Sequence, residues 1–419
     1  MNIKKISLVL VMALGLLASA ASNVSGTDAS TASGRAFDVT TAGTLPAFNY
    51  GYTNGLYATL AGFLAAPDVD LKSRQHEINL NVPSFKRQVP VKAVIQNSPA
   101  PLVVILLGID GKADSRLGKL WASWYANAGY HVLTFDSTFL PGFVKISGHG
   151  VTGNLVAESE RVDEIIAAFL AEPRMKNNVT KVGVVGMSYG GIQALVLGQM
   201  AQQGRLHFKL EGLQSYSPPI NLQHSGELID RWYSEDRWNY TLAELATKIG
   251  NHKPVSANAP VPFSDSEMRA GIAAAFHLGM AVVIMKNNEE YKLNLLPRGD
   301  TFDDQYVQFD YAATWGFQKF LADMAYPYWQ RKLNLKGLSD FIDPITLGHL
   351  IQNQPSYLQV VVSADDPINV PSDLSEIKAH AGLSLTVLPR GGHLGYVNDP
   401  WTKAKLMTLF LPESRQASR

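Results

Sequence analysis

Apolar positions along the chain follow two regimes. Between residues 75 and 96, "HEINLNVP" and "QVPVKAVIQ" alternate apolar and polar residues, the period-two pattern of half-buried antiparallel strands. From residue 101 the pattern changes. "PLVVILLG", "YHVLTFD", "KVGVVG", "LEGLQSYSPP", "YLQVVVSADD" and "LSLTVLP" are short, largely apolar runs, as expected of strands covered on both faces. Helical periodicity separates them. "SRLGKLWASWYANAG" ends at Gly129, "NLVAESERVDEIIAAFLAEP" sets Val162, Ile165, Ile166 and Phe169 on one face, and "GGIQALVLGQM" leaves the third run directly. Upstream, "GLYATLAGFLAAPD" reads as an amphipathic helix closed by Pro67. Buried strands alternating with helices predict an α/β fold: a mostly parallel central sheet flanked by helices, with right-handed crossovers.

The rhythm breaks between the fourth and fifth runs. Residues 220–355 are rich in helix formers and hold four of the seven tryptophans, Trp232, Trp238, Trp315 and Trp329. A structureless loop of that length is implausible in a compact domain, so this stretch predicts an inserted helical cap. Its most apolar piece, "GIAAAFHLGMAVVIM", is short for a membrane span and is interrupted by His277, which favours a buried cap helix. The core is then residues 46–219 and 356–413.

The first residues change the picture of where the chain works. "MNIKK" followed by "ISLVLVMALGLL" and "ASA" has the basic, apolar and small-residue regions of an export signal, so residues 1–20 are expected to be cleaved on export to periplasm or medium. Residues 21–45 are small, polar and aperiodic, a disordered spacer. The chain has no cysteine, which excludes disulfides, thiolate metal sites and a cysteine nucleophile; an exported protein of this kind relies on its core. Thirty-six basic and 36 acidic residues cancel, so nothing in the charge suggests a nucleic-acid partner. No paired histidines stand at metal-ligand spacing and no glycine-rich phosphate loop follows a strand, so neither metal nor cofactor is expected. No stable membrane span is expected in the mature chain, and oligomeric state is left open.

Candidate chemistry centres on "VGVVGMSYGGIQAL". Gly186-Met187-Ser188-Tyr189-Gly190 has the G-x-S-x-G spacing, weak alone but here set between a buried strand and a helix. Such a turn puts the serine hydroxyl at the carboxyl edge of the sheet, and the helix amino end behind it favours negative charge. A serine hydroxyl needs a base and an orienting acid to attack a carbonyl. His393 in "LPRGGHLGY", in a glycine-rich turn after the last strand, is the base candidate. "VVVSADDPINVP" ends the fifth run with two aspartates; Asp366, directly before the proline, is preferred as the acid, with Asp365 as the fallback. The backbone amides of Tyr189 and of Ile109, in "LLGIDGKADS", are the candidate oxyanion donors, with Asp110 expected to point away and bond locally.

These motifs resemble the α/β-hydrolase superfamily over about residues 75 to 412. More narrowly, "LGIDGKADS", "SGHGVTGNL", "SADDPINVP" and "GGHLGY" are similar to segments of the abhydrolase branch that includes YheT-type esterases. The resemblance implies an α/β-hydrolase fold with Ser188 as nucleophile, Asp366 as acid and His393 as base. The chain departs from the branch at Leu107, where a histidine is usual, and in its longer cap. The expected activity is an exported serine hydrolase cleaving a small-molecule or acyl ester through an acyl-enzyme. Two alternatives stay open. One is a serine peptidase or amidase of the same fold, for which Glu227, Asp230, Glu235 or Asp236 of the cap would hold a substrate amine. The other is a catalytically silent fold used for binding.

Overall fold

The computed structural model describes residues 45–241, 244–245, 247–248, 261–297, 302–378 and 384–411. The proposed signal, the spacer up to residue 44 and the C-terminal boundary at 413 lie outside the described residues. Eight strands form one sheet in the order β1-β2-β4-β3-β5-β6-β7-β8. The alternating segments are β1 (Gln75–Leu80) and β2 (Val89–Val94), paired antiparallel as the period-two pattern predicts. The apolar runs are β3 (Ala100–Leu106), β4 (His131–Thr134), β5 (Val179–Met187), β6 (Gly212–Tyr216), β7 (Leu358–Ser363) and β8 (Ser384–Leu388), all parallel.

Alternation along β3 explains why an unbroken apolar run is needed. Leu102, Val104 and Leu106 join one core cluster with Phe169, Ile192 and Leu195 of the helices α4 (Leu155–Ala171) and α5 (Tyr189–Gln202). Val103 and Ile105 face the other way, onto Trp121 and Tyr125 of α2 (Arg116–Asn127) and Leu406 of the last helix (Pro400–Leu406). Each such side chain contributes roughly 2 kcal/mol by leaving water, so a polar residue on either face would cost a core contact. The two large aromatics of α2 also satisfy their polar ends: Trp121 Nε1 donates to the Val397 carbonyl at 3.0 Å and the Tyr125 hydroxyl to that of Leu406 at 3.0 Å.

From β3 the chain passes to β4 on one side and then to β5 on the other. In an open α/β sheet, the reversal leaves a crevice at the carboxyl ends of the two diverging strands. β3 ends beside Gly108 and β5 ends at Met187, so Ser188 and the "GID" turn meet there.

Helices α1 (Gly55–Ala65) and α3 (Pro141–Ser147) flank this edge, and further helices lie between β6 and β7. These include α6 (Leu222–Glu235), α7 (Asp265–Glu290), α8 (Phe302–Ala313), α9 (Gly316–Phe320) and α10 (Tyr326–Leu333). α7 corrects one expectation: at 26 residues it is long and apolar enough to cross a membrane, because a Ser264–Glu267 capping box starts it well before the apolar piece. Most of that apolar stretch is nevertheless buried inside the protein. His277 does not interrupt it. It is buried, its Nε2 3.0 Å from Asp230 Oδ1 and its ring stacked on Tyr233 at 3.8 Å.

Candidate active site

The turn after β5 is strained. Ser188 has φ 52° and ψ −120°, a conformation that costs a residue with a Cβ on the order of 1–3 kcal/mol. Two glycines make the turn possible. A Cβ on Gly186 would stand 2.0 Å from the Gly190 carbonyl oxygen, and one on Gly190 would stand 2.4 Å from that of Leu106. Both obstacles are backbone and cannot give. Gly186→Ala is therefore expected to lower stability by about 3 kcal/mol or more, read as a fall in the urea unfolding midpoint. The strain at 188 predicts the opposite sign: Ser188→Gly should be about 1 kcal/mol more stable than Ser188→Ala, compared by thermal unfolding.

The serine hydroxyl lies 2.9 Å from His393 Nε2, and His393 Nδ1 lies 2.9 Å from Asp366 Oδ2. Asp366 is fully covered and also accepts the Ile368 amide at 3.1 Å. The two aspartates thus divide their work. Asp365 faces away from the histidine ring and accepts the Gly392 amide at 2.9 Å and the Ser363 hydroxyl, pinning the turn rather than the imidazole. Since Asp366 accepts at Nδ1, that nitrogen carries the proton and Nε2 is free to accept from Ser188.

The histidine turn is also held from the opposite end of the chain. The His393 amide donates to Thr59 Oγ1 at 2.9 Å, and that hydroxyl donates to the Gly55 carbonyl at 2.7 Å. Gly392, at φ 58°, lies so close to α1 that a Cβ would stand 2.2 Å from the Gly55 oxygen. Nothing in the α1 sequence marks Thr59 for this task, because its partner is 334 residues away.

On the other side of Ser188, Gly108 packs within van der Waals range: its Cβ position is 3.4 Å from the serine Cβ. A turn closed by Gly111 N–H to the Gly108 carbonyl, at 2.9 Å, carries Ile109 and Asp110 at its corners. Among the described residues neither the Tyr189 nor the Ile109 amide has an acceptor.

Tyr189 does more than offer an amide, which the sequence reading missed. Its hydroxyl donates to Glu158 at 2.7 Å, and Glu158 also accepts the Gly153 amide at 2.7 Å and the Thr138 hydroxyl. Burial pushes the Glu158 carboxyl up, and these three donors pull it back. The Tyr189 ring lines a cavity of about 60 Å³ with Ile109, Phe139, Phe317, Phe320 and Ile342.

Asp110 departs from its expectation. Among the described residues it makes no hydrogen bond or ion pair; its carboxylate lies under α7 against Gly279. The cap acids are otherwise placed. Asp230 accepts the amides of Phe317 and Gln318 as well as His277, Asp236 pairs with Arg269, and Glu227 accepts from Gln223. Among the described residues no group of three or more His, Cys, Asp or Glu could hold a metal ion.

The sequence model described as the alpha/beta hydrolase family matches residues 103–403, and the chain belongs to that family. No curated protein matches it. Among solved structures the chain is similar to an arylesterase, at 11% identity over 84% of this chain and 88% of that one, with a TM-score of 0.44. It is also similar to an esterase from Pyrobaculum calidifontis (15% identity, 85% and 89%, TM-score 0.42). An esterase from Pyrococcus furiosus shows 12% identity over 82% and 97%, with a TM-score of 0.43.

Proposed function

We propose that this member of the family is a serine hydrolase that cleaves carboxylic esters through an acyl-enzyme. The observation that carries the reading is the unbroken chain from Ser188 Oγ to His393 Nε2 and from His393 Nδ1 to Asp366, both at 2.9 Å. His393 takes the hydroxyl proton as Ser188 attacks the carbonyl carbon, and Asp366 stabilises the imidazolium that results. The carbonyl oxygen gains its charge beside the unpaired amides of Tyr189 and Ile109, which need no rearrangement to meet it. The tetrahedral intermediate collapses, the alcohol leaves with the proton from His393, and the acyl group stays on Ser188. Water, deprotonated by the same histidine, then releases the acid.

The cavity beside Tyr189 and Ile109 is almost wholly apolar and suits an apolar acyl group. The N-terminal twenty residues support export with cleavage of that segment, so the enzyme would act in periplasm or medium. Purified protein is expected to hydrolyse p-nitrophenyl acyl esters and to bind a fluorophosphonate covalently at Ser188, and to leave aminoacyl nitroanilides largely intact. Preferential cleavage of the anilides would favour a peptidase, and no adduct at Ser188 in folded protein would favour a binding role.

A further inference from the structure

Ester hydrolysis as described does not use Asp110. It stands next to Ile109, at the adjacent corner of the same turn. Its side chain is exposed to solvent. Among the described residues nothing neutralises it or donates to it. The fold makes room for it. A Cβ at Gly279 would stand 2.8 and 2.9 Å from the two carboxylate oxygens, so in this arrangement the carboxylate occupies the space that a side chain there would take. A glycine inside a helix costs about 1 kcal/mol relative to alanine, and α7 carries it where the carboxylate lies.

The direction matters as well. Ile109 lines the apolar cavity, whereas Asp110 does not; its carboxylate lies instead against Gly279 of α7, none of whose residues lines that cavity. α7 also packs against the elements that hold the histidine and the acid: Met268 clusters with Tyr57 of α1, and Ile272 with Ile368 of the acid turn. The leaving alcohol must depart on the histidine's side, because His393 returns the proton to it. We propose, building on the esterase reading above, that Asp110 is a specificity residue which binds an ammonium group on the leaving alcohol. The substrates would then be apolar acyl esters of amino alcohols. A cation seated against the Asp110 carboxylate would hold it ionised. Of the acids named earlier for an amine, Asp230, Asp236 and Glu227 are engaged elsewhere.

The test compares two thioesters that differ in one charge, butanoylthiocholine and its neutral isostere S-(3,3-dimethylbutyl) thiobutanoate. The wild-type kcat/KM is expected to favour the cationic ester at least tenfold. Asp110→Asn should lower that preference at least tenfold, and Asp110→Glu, which keeps the charge, should retain most of it. A preference unchanged by Asp110→Asn would overturn the proposal, as would both variants slowing the two esters in proportion. Neutral-ester turnover that depends on Ser188 but comes without charge preference would sink Asp110 alone. Turnover of neither ester, or turnover that survives Ser188→Ala, would sink the esterase reading and this one with it.

Discussion

Ser188→Ala is expected to lower ester turnover by roughly 10⁴- to 10⁶-fold, the range found when a nucleophile is removed from a unit that acts together. Thermal unfolding should change little. The hydroxyl's hydrogen bond is to His393, and alanine keeps the same strained backbone and the same volume less one oxygen. The measurement is turnover of a p-nitrophenyl ester beside a melting curve. Activity within tenfold of wild type would remove Ser188 from the mechanism, while equal loss of activity and stability would mean only that the turn had failed.

Asp366→Asn is expected to reduce kcat by roughly 10⁴-fold, because an amide can donate to Nδ1 and so favour the tautomer whose Nε2 cannot accept the serine proton. Asp365→Asn is expected to change it less than tenfold, since an asparagine oxygen can still accept the Gly392 amide. The pair is informative because the two side chains are neighbours in sequence and differ only in what they face. The reverse ranking would transfer the role of acid to Asp365.

How much of this was legible beforehand depended on how far apart the partners lie. The strands could be read from local composition, because a strand covered on both faces must be apolar throughout, as "PLVVILL" is, and one half-covered must alternate, as "HEINL" does. The elbow could be read because its constraint is local: Gly186 and Gly190 stand two residues either side of Ser188, and backbone contacts require both. Position relative to strand ends sufficed to put Asp366 and His393 at the same edge. Other features depend on packing between distant elements. The Glu158–Tyr189 bond, the burial of α7 and the bare carboxylate of Asp110 follow from how the helices settle over the sheet, which no local pattern encodes. Asp110 was misread for that reason: an aspartate in a glycine turn ordinarily bonds to its own loop, and here its carboxylate lies against the facing glycine of α7 instead.

The bond between Thr59 and the His393 amide carries a kinetic consequence. It closes a loop of 334 residues, so the histidine acquires its final place only after nearly the whole chain has been made and has folded. Contacts of such separation form late, since their loop-closure entropy must be met before they contribute. A chain emerging from synthesis would therefore carry an assembled serine turn long before it carried a competent base. During refolding from urea, tryptophan fluorescence should recover ahead of ester hydrolysis. The reactive centre would stay silent until the two ends of the domain had met.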